Sequence, residues 1–199
     1  MSKVFRFYQE SLRKHPKKTN AVMTGSLFGA GDIIAQIFFP SKEGDGKYDY
    51  MRTTRSVVYG SMVFSFIGDK WFRFVNNKLV LPRTAPSHWT NTIYRVTVDQ
   101  LLFAPALIPL YFGSLTLMEG KSLSVAKHKI DERWWETLRN SWFVWPPFQL
   151  LNFSLVPVQH RLLAANCLAI FWNTYLSYKN SVALSEDDKV KVNYPPIVE

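Results

Sequence analysis

Cysteine is almost absent: Cys167 is the single one in 199 residues, so no intrachain disulfide framework can form. It stands in an apolar run and reads as a small core residue. Histidine is scarce as well. His15, His88, His128 and His160 are scattered without metal-ligand spacing. No Gly-Lys-Ser/Thr follows the glycines, which excludes a P-loop, and neither a nucleophile elbow nor a metal-binding helix motif occurs. No cofactor and no metal are therefore expected. Acids are few, 15 against 24 Lys and Arg, for a formal charge of +9. A basic balance points to nucleic acid, anionic lipid or a compartment address. No dense basic block interleaves with aromatics, and no zinc or helix-turn-helix signature is present, so direct nucleic-acid binding is not expected. Internal repeats are absent. The last residues, Tyr194-Pro-Pro-Ile-Val-Glu199, match neither the Ser-Lys-Leu nor the ER-retention address and read as an extended tail.

Apolar and aromatic residues, in contrast, are abundant, at 47% and 16%. The mean hydropathy of −0.08 is nevertheless low for a simple membrane bundle. Short apolar spans alternating with charged loops satisfy both numbers. Residues 1–20 hold Lys3, Arg6, Arg13, Lys14, Lys17 and Lys18 against Glu10 alone, with Val4, Phe5, Tyr8 and Leu12 on one helical face. That is a basic amphipathic helix: a mitochondrial address, a membrane-surface helix or a solvated face.

Residues 21–39 form the first candidate span, with Asp32 its one charge. Gly25, Gly29, Asp32 and Gln36 share a face. Gly25 and Gly29 offer a small-xxx-small packing surface, and Asp32 is expected inside the bundle, since a carboxylate facing lipid is costly. Residues 56–66 are apolar but only about half a membrane thick. Residues 81–91 read as a loop. Residues 96–118 form the next span, with Asp99 and Gln100 near its start and Pro105 and Pro109 bending it. Residues 119–139 are charged and read as an interfacial helix.

The run from Asn140 to Tyr178 has one fixed charge, Arg161, yet is rich in Trp, Pro, Asn and Gln. Pro146 and Pro147 are expected to break or begin a helix. Gln149 and Asn152 share a face, Pro157 kinks or ends that helix, and Asn166, Asn173 and Ser177 line a further one. The outcome is an all-α, multi-pass bundle. An amphipathic helix over residues 1–20 precedes one membrane-embedded domain over 21–178 and a polar tail over 179–199.

Trp145-Pro-x-x-Gln149-x-x-Asn152-Phe153-x-x-Val156-Pro157-x-x-x-Arg161, followed by Trp172-Asn173-x-Tyr175-Leu176-Ser177, resembles the C-terminal signature of the Mpv-seventeen / peroxisomal membrane protein family. Gly31-Asp32-x-x-x-Gln36 and Asp99-Gln100-x-x-Phe103-Ala104-Pro105 resemble its two earlier motifs. Asp49-Tyr50-x-Arg52-Thr53 and Gly68-Asp69-Lys70-Trp71 look most like the family's fungal stress-inducible members. The resemblance implies a small multi-pass protein of about four spans, or five, in the mitochondrial inner membrane. It also implies roles in stress response, metabolite homeostasis, mitochondrial genome maintenance and ethanol metabolism at elevated temperature, with weakly selective channel activity in some members and no catalysis. The bilayer is the expected partner, with assembly as a homo-oligomer or within a larger membrane complex.

Asp32, Gln36, Asp99, Gln100, Gln149, Asn152, Arg161 and Asn173 either line a polar path or hydrogen-bond the helices together. In the second case Arg161 pairs with Asp32 or Asp99. The tryptophans read as interface anchors. An enzyme reading exists: Gly29-Ala-Gly31-Asp32 and Pro105-Ala-Leu107 match short motifs of intramembrane aspartyl proteases, with Asp99 as the second carboxylate. Matches of this length arise by chance, and the chain is far shorter than those proteases. No enzymatic activity is expected.

Overall fold

The computed structural model describes residues 3–40, 47–82, 84–85, 88–155, 164–165 and 167–181. Every regular element among the described residues is helical. Helix α1 (Lys3–Lys14) is separated from α2 (Pro16–Phe38) by His15 alone, and Pro16 opens α2 where its missing N–H costs nothing. Helix α3 (Tyr50–Val58) passes through a π-helical stretch (Tyr59–Phe64) into α4 (Ser65–Lys78). Helix α5 (Trp89–Val98) likewise passes through a π-helical stretch (Asp99–Phe103) into α6 (Ala104–Met118). Gly120, at φ +76°, turns the chain into α7 (Leu123–Leu155). Residues 167–181 form α8.

Three boundaries differ from the sequence reading. The helix that carries the apolar 56–66 segment begins earlier, at Tyr50, where the Asp49 side chain accepts from the Arg52 N–H at 2.9 Å and caps it. Trp89 to Asn91 belong to α5 rather than to a loop, and the buried Asn91 side chain ties down the connection before it. Helix α7 continues through Pro146 and Pro147, where the prolines are expected to break or begin a helix. The expected kink at Pro157 lies outside the described residues.

Among the described residues two helices, Pro16–Phe38 and Trp89–Met118, are long and apolar enough to cross a membrane. The core lies where α2, the first π-helical stretch, α6, α7 and α8 meet, and holds Phe28, Tyr59, Ile108, Phe112, Leu138 and Leu176. Aromatic edges fix it: Phe28–Tyr59 at 5.3 Å and Tyr59–Tyr111 at 5.2 Å, both T-shaped. Gly25 and Gly29 face Val57 and Ser61 of the neighbouring helix, and a Cβ on Gly25 would stand 2.0 Å from the Ser61 Oγ. A Cβ on Gly31 would stand 2.6 Å from the Asn173 Cβ and 2.9 Å from the Thr174 nitrogen, so only glycine lets α8 come this close.

Candidate functional site

Polar side chains concentrate inside the bundle in two networks. The first is built on Asp32, which is 0% exposed. Its Oδ1 accepts from Arg52 Nε at 2.8 Å and from the Ser177 hydroxyl. Its Oδ2 accepts from Thr53 Oγ1 at 2.6 Å and Gln36 Nε2 at 2.8 Å. Arg52 also donates through Nη2 to the Ser177 carbonyl at 3.2 Å and to its Oγ at 3.0 Å. Gln36 reaches further, accepting from the Asp49 N–H at 2.7 Å and donating to the Asp49 carbonyl at 3.0 Å. The network thus joins α2, α3 and α8 through one ion pair and its hydrogen-bonded surround. A buried ion pair is tolerable only with such satisfaction of its remaining polar atoms.

The second network sits at the π-helical stretch before α6. Asp99 accepts from Trp71 Nε1 at 2.8 Å and from Gln100 Nε2 at 3.1 Å. The Gln100 side chain accepts from Ser141 of α7 at 3.4 Å. Two tryptophans of α7 meet backbone carbonyls here. Ala104 N donates to Asp99 O, so the next donor in that register would reach Gln100 O; that residue is Pro105, which has none. Trp142 Nε1 supplies the bond instead, at 2.9 Å. Pro109 likewise frees the carbonyl of Pro105 four residues back, and Trp134 Nε1 takes it at 3.0 Å. In a medium without water each of these carbonyls needs a partner.

Among the eight candidate polar residues, Asp32 and Gln36 enter the first network and Asp99 and Gln100 the second. Asn173 is buried where α8 meets Gly31. Gln149 is half-buried on α7 and enters neither network. Asn152 lies on α7, and Arg161 falls outside the described residues. The partner of Asp32 is Arg52; the expected pairing of Arg161 with Asp32 or Asp99 lies outside the described residues. No hydrogen bond among the described residues joins Asp32 to Asp99, so the shared proton of an aspartyl-protease pair has no geometric support here. Arg52, Thr53 and the indoles of Trp71, Trp134 and Trp142 carry much of the site, and periodicity does not single them out. The signal available for Arg52 is the Asp49-Tyr50-x-Arg52-Thr53 motif. For the tryptophans it is the presence of two prolines in the neighbouring span.

Outside, the polarity reverses. Phe38, Leu102, Phe143 and Phe171 are each more than half exposed, while Asp32, Thr116 and Thr137 are wholly buried. Large apolar side chains on the outside and a buried Asp32–Arg52 ion pair within are the arrangement of a membrane protein. A family model described as Mpv17 / PMP22 family matches residues 116–177, the stretch that supplies Trp134, Trp142 and Ser177. Protein SYM1 of Saccharomyces cerevisiae is 57% identical over 197 residues, covering 99% of this chain and 100% of the relative. Protein SYM1 of Kluyveromyces lactis is 56% identical over 193 residues and 97% of each chain. Protein sym-1 of Neurospora crassa is 39% identical over 174 residues, 87% of this chain and 97% of the relative. The chain belongs to the Mpv17 / PMP22 family, as the motifs around Asp32, Asp99 and Trp145 indicate. No solved structure matches it.

Proposed function

We propose that the protein acts at the mitochondrial inner membrane in stress response and metabolite homeostasis, as a small-solute channel or the regulator of one. It crosses the bilayer about four times, and the described residues form its closed state. One observation supports this reading most directly, the ion pair Asp32–Arg52 at 2.8 Å inside the bundle. Apolar side chains fasten helices without the desolvation cost of two charges, so a buried pair suits an element that must separate as well as join. Opening the pair would expose Asp32, Arg52, Thr53 and Gln36 together and create a polar surface between α2, α3 and α8. The links to mitochondrial genome maintenance and to ethanol metabolism at elevated temperature follow from the family resemblance. They fit a protein whose loss disturbs solute balance across that membrane.

A second reading is a structural subunit that stabilises a membrane complex without conducting. It is favoured by the closure of the first network on itself, because both oxygens of Asp32 are satisfied within the chain. Planar-bilayer recording on the pure reconstituted protein separates the two. The channel reading expects reproducible conductance, altered in Asp32→Asn and increased in Arg52→Gln, where the closing pair is broken. A silent bilayer for the native protein and both variants, with the protein migrating in a large native complex, would replace it with the structural reading.

A further inference from the structure

An apolar groove of about 460 Å³ runs between α4 and α6; it shares Trp71 with the second network and no residue with the first. The volume is that of a ligand site. Trp71 and Phe103 line it, stacked with ring centroids 4.7 Å apart and planes 4° from parallel. The indole N–H of Trp71 is already committed to Asp99, so this pair offers the groove no free donor. Ile67 on α4 and Ala106 and Leu107 on α6 complete an apolar lining, and the one charged residue along it is Lys70. Lys70 is exposed, and its acidic neighbour Asp69 is held by Arg73 at 3.0 Å. The α6 side belongs to a helix able to cross a membrane. A polar solute would find no hydrogen-bond partners among these apolar walls. A hydrocarbon chain with a single anionic group at one end matches both the lining and its cation.

We infer that this groove binds one acyl chain of an anionic phospholipid, with the lipid phosphate paired to Lys70. The inference requires membrane residence but no conduction, so a silent bilayer leaves it standing. The test uses the full chain in mild detergent, offered equal amounts of phosphatidylglycerol and phosphatidylcholine with identical acyl chains and read by native mass spectrometry. One phosphatidylglycerol should be retained about fivefold over phosphatidylcholine, the effect of one interfacial cation. Lys70→Gln should equalise the two lipids, and Ile67→Trp or Ala106→Trp should remove retention of both. A phosphatidylglycerol carrying a photoactivatable acyl chain maps the site in the unmutated protein, with label expected within residues 67–74 and 103–110. Equal retention of the two lipids by the native protein, unchanged preference in Lys70→Gln, or label elsewhere on the chain would overturn the inference. So would a dimer whose second copy covers the groove.

Discussion

Asp32 keeps a carboxylate at the centre of an apolar bundle because four side chains converge on its two oxygens. Arg52 is the only cation among them, and it is itself buried. Removing it leaves Asp32 as an uncompensated interior charge. Arg52→Leu is therefore expected to destabilise the folded protein by about 3–5 kcal/mol, read as a lower thermal midpoint in detergent. The double variant Asp32→Leu with Arg52→Leu should recover much of that loss, since neither charge then remains. A double variant less stable than either single would show that the pair itself contributes net stability. At this scale the sequence is informative about position and silent about partners. Four-residue spacing places Gln36 beside Asp32, and the cost of a lipid-facing carboxylate places Asp32 inside. Arg52 lies twenty residues away on another helix, in a polar and basic stretch before the apolar 56–66 segment, and local periodicity carries no information about contacts between helices.

At the scale of the element, two prolines in one helix would each leave a carbonyl without a donor. In water that loss is small, but inside a bilayer bundle it must be met by another helix. Trp134 and Trp142, eight residues apart on α7, meet both. Trp134→Phe keeps the ring and removes the donor, and should cost about 1–3 kcal/mol, the penalty of an unsatisfied buried acceptor. In a Pro109→Ala background the same change should cost markedly less, because the alanine introduced there has a backbone N–H that can reach the Pro105 carbonyl directly. Equal costs in the two backgrounds would refute this account of the indole. These residues also explain why the sequence reading puts the tryptophans at the membrane surface. An indole at a helix position is equally suited to a headgroup and to a freed carbonyl, and only the opposing helix decides which. The continuity of α7 through Pro146 and Pro147 is illegible for a similar reason, since a proline's local cost does not reveal what its neighbours can compensate.

For the molecule as a whole, the inward turn of polar groups and outward turn of Phe38, Leu102, Phe143 and Phe171 make an aqueous form unfavourable. The protein should stay in the membrane pellet after alkaline carbonate washing; its release into the supernatant would contradict membrane integration. The all-helical class is legible from periodicity and from apolar runs of the right length. The 56–66 segment is harder to read, because its apolar part is half a membrane long and the rest of its helix carries Arg52, Arg55, Asp69, Lys70 and Arg73. Three of those charges have partners: Arg52 with Asp32, and Arg73 with Asp69.

The first network joins residues made far apart in time, from Asp32 to Ser177. Asp32 and Arg52 leave the ribosome well before Ser177, which donates to one and accepts from the other. Helix α8 also seats against Gly31. A growing chain therefore carries a charged pair with an incomplete shell until α8 has been translated and docked. Completion of this network waits on α8, and chains cut short before Ser177 would present membrane quality control with an exposed, half-made polar centre.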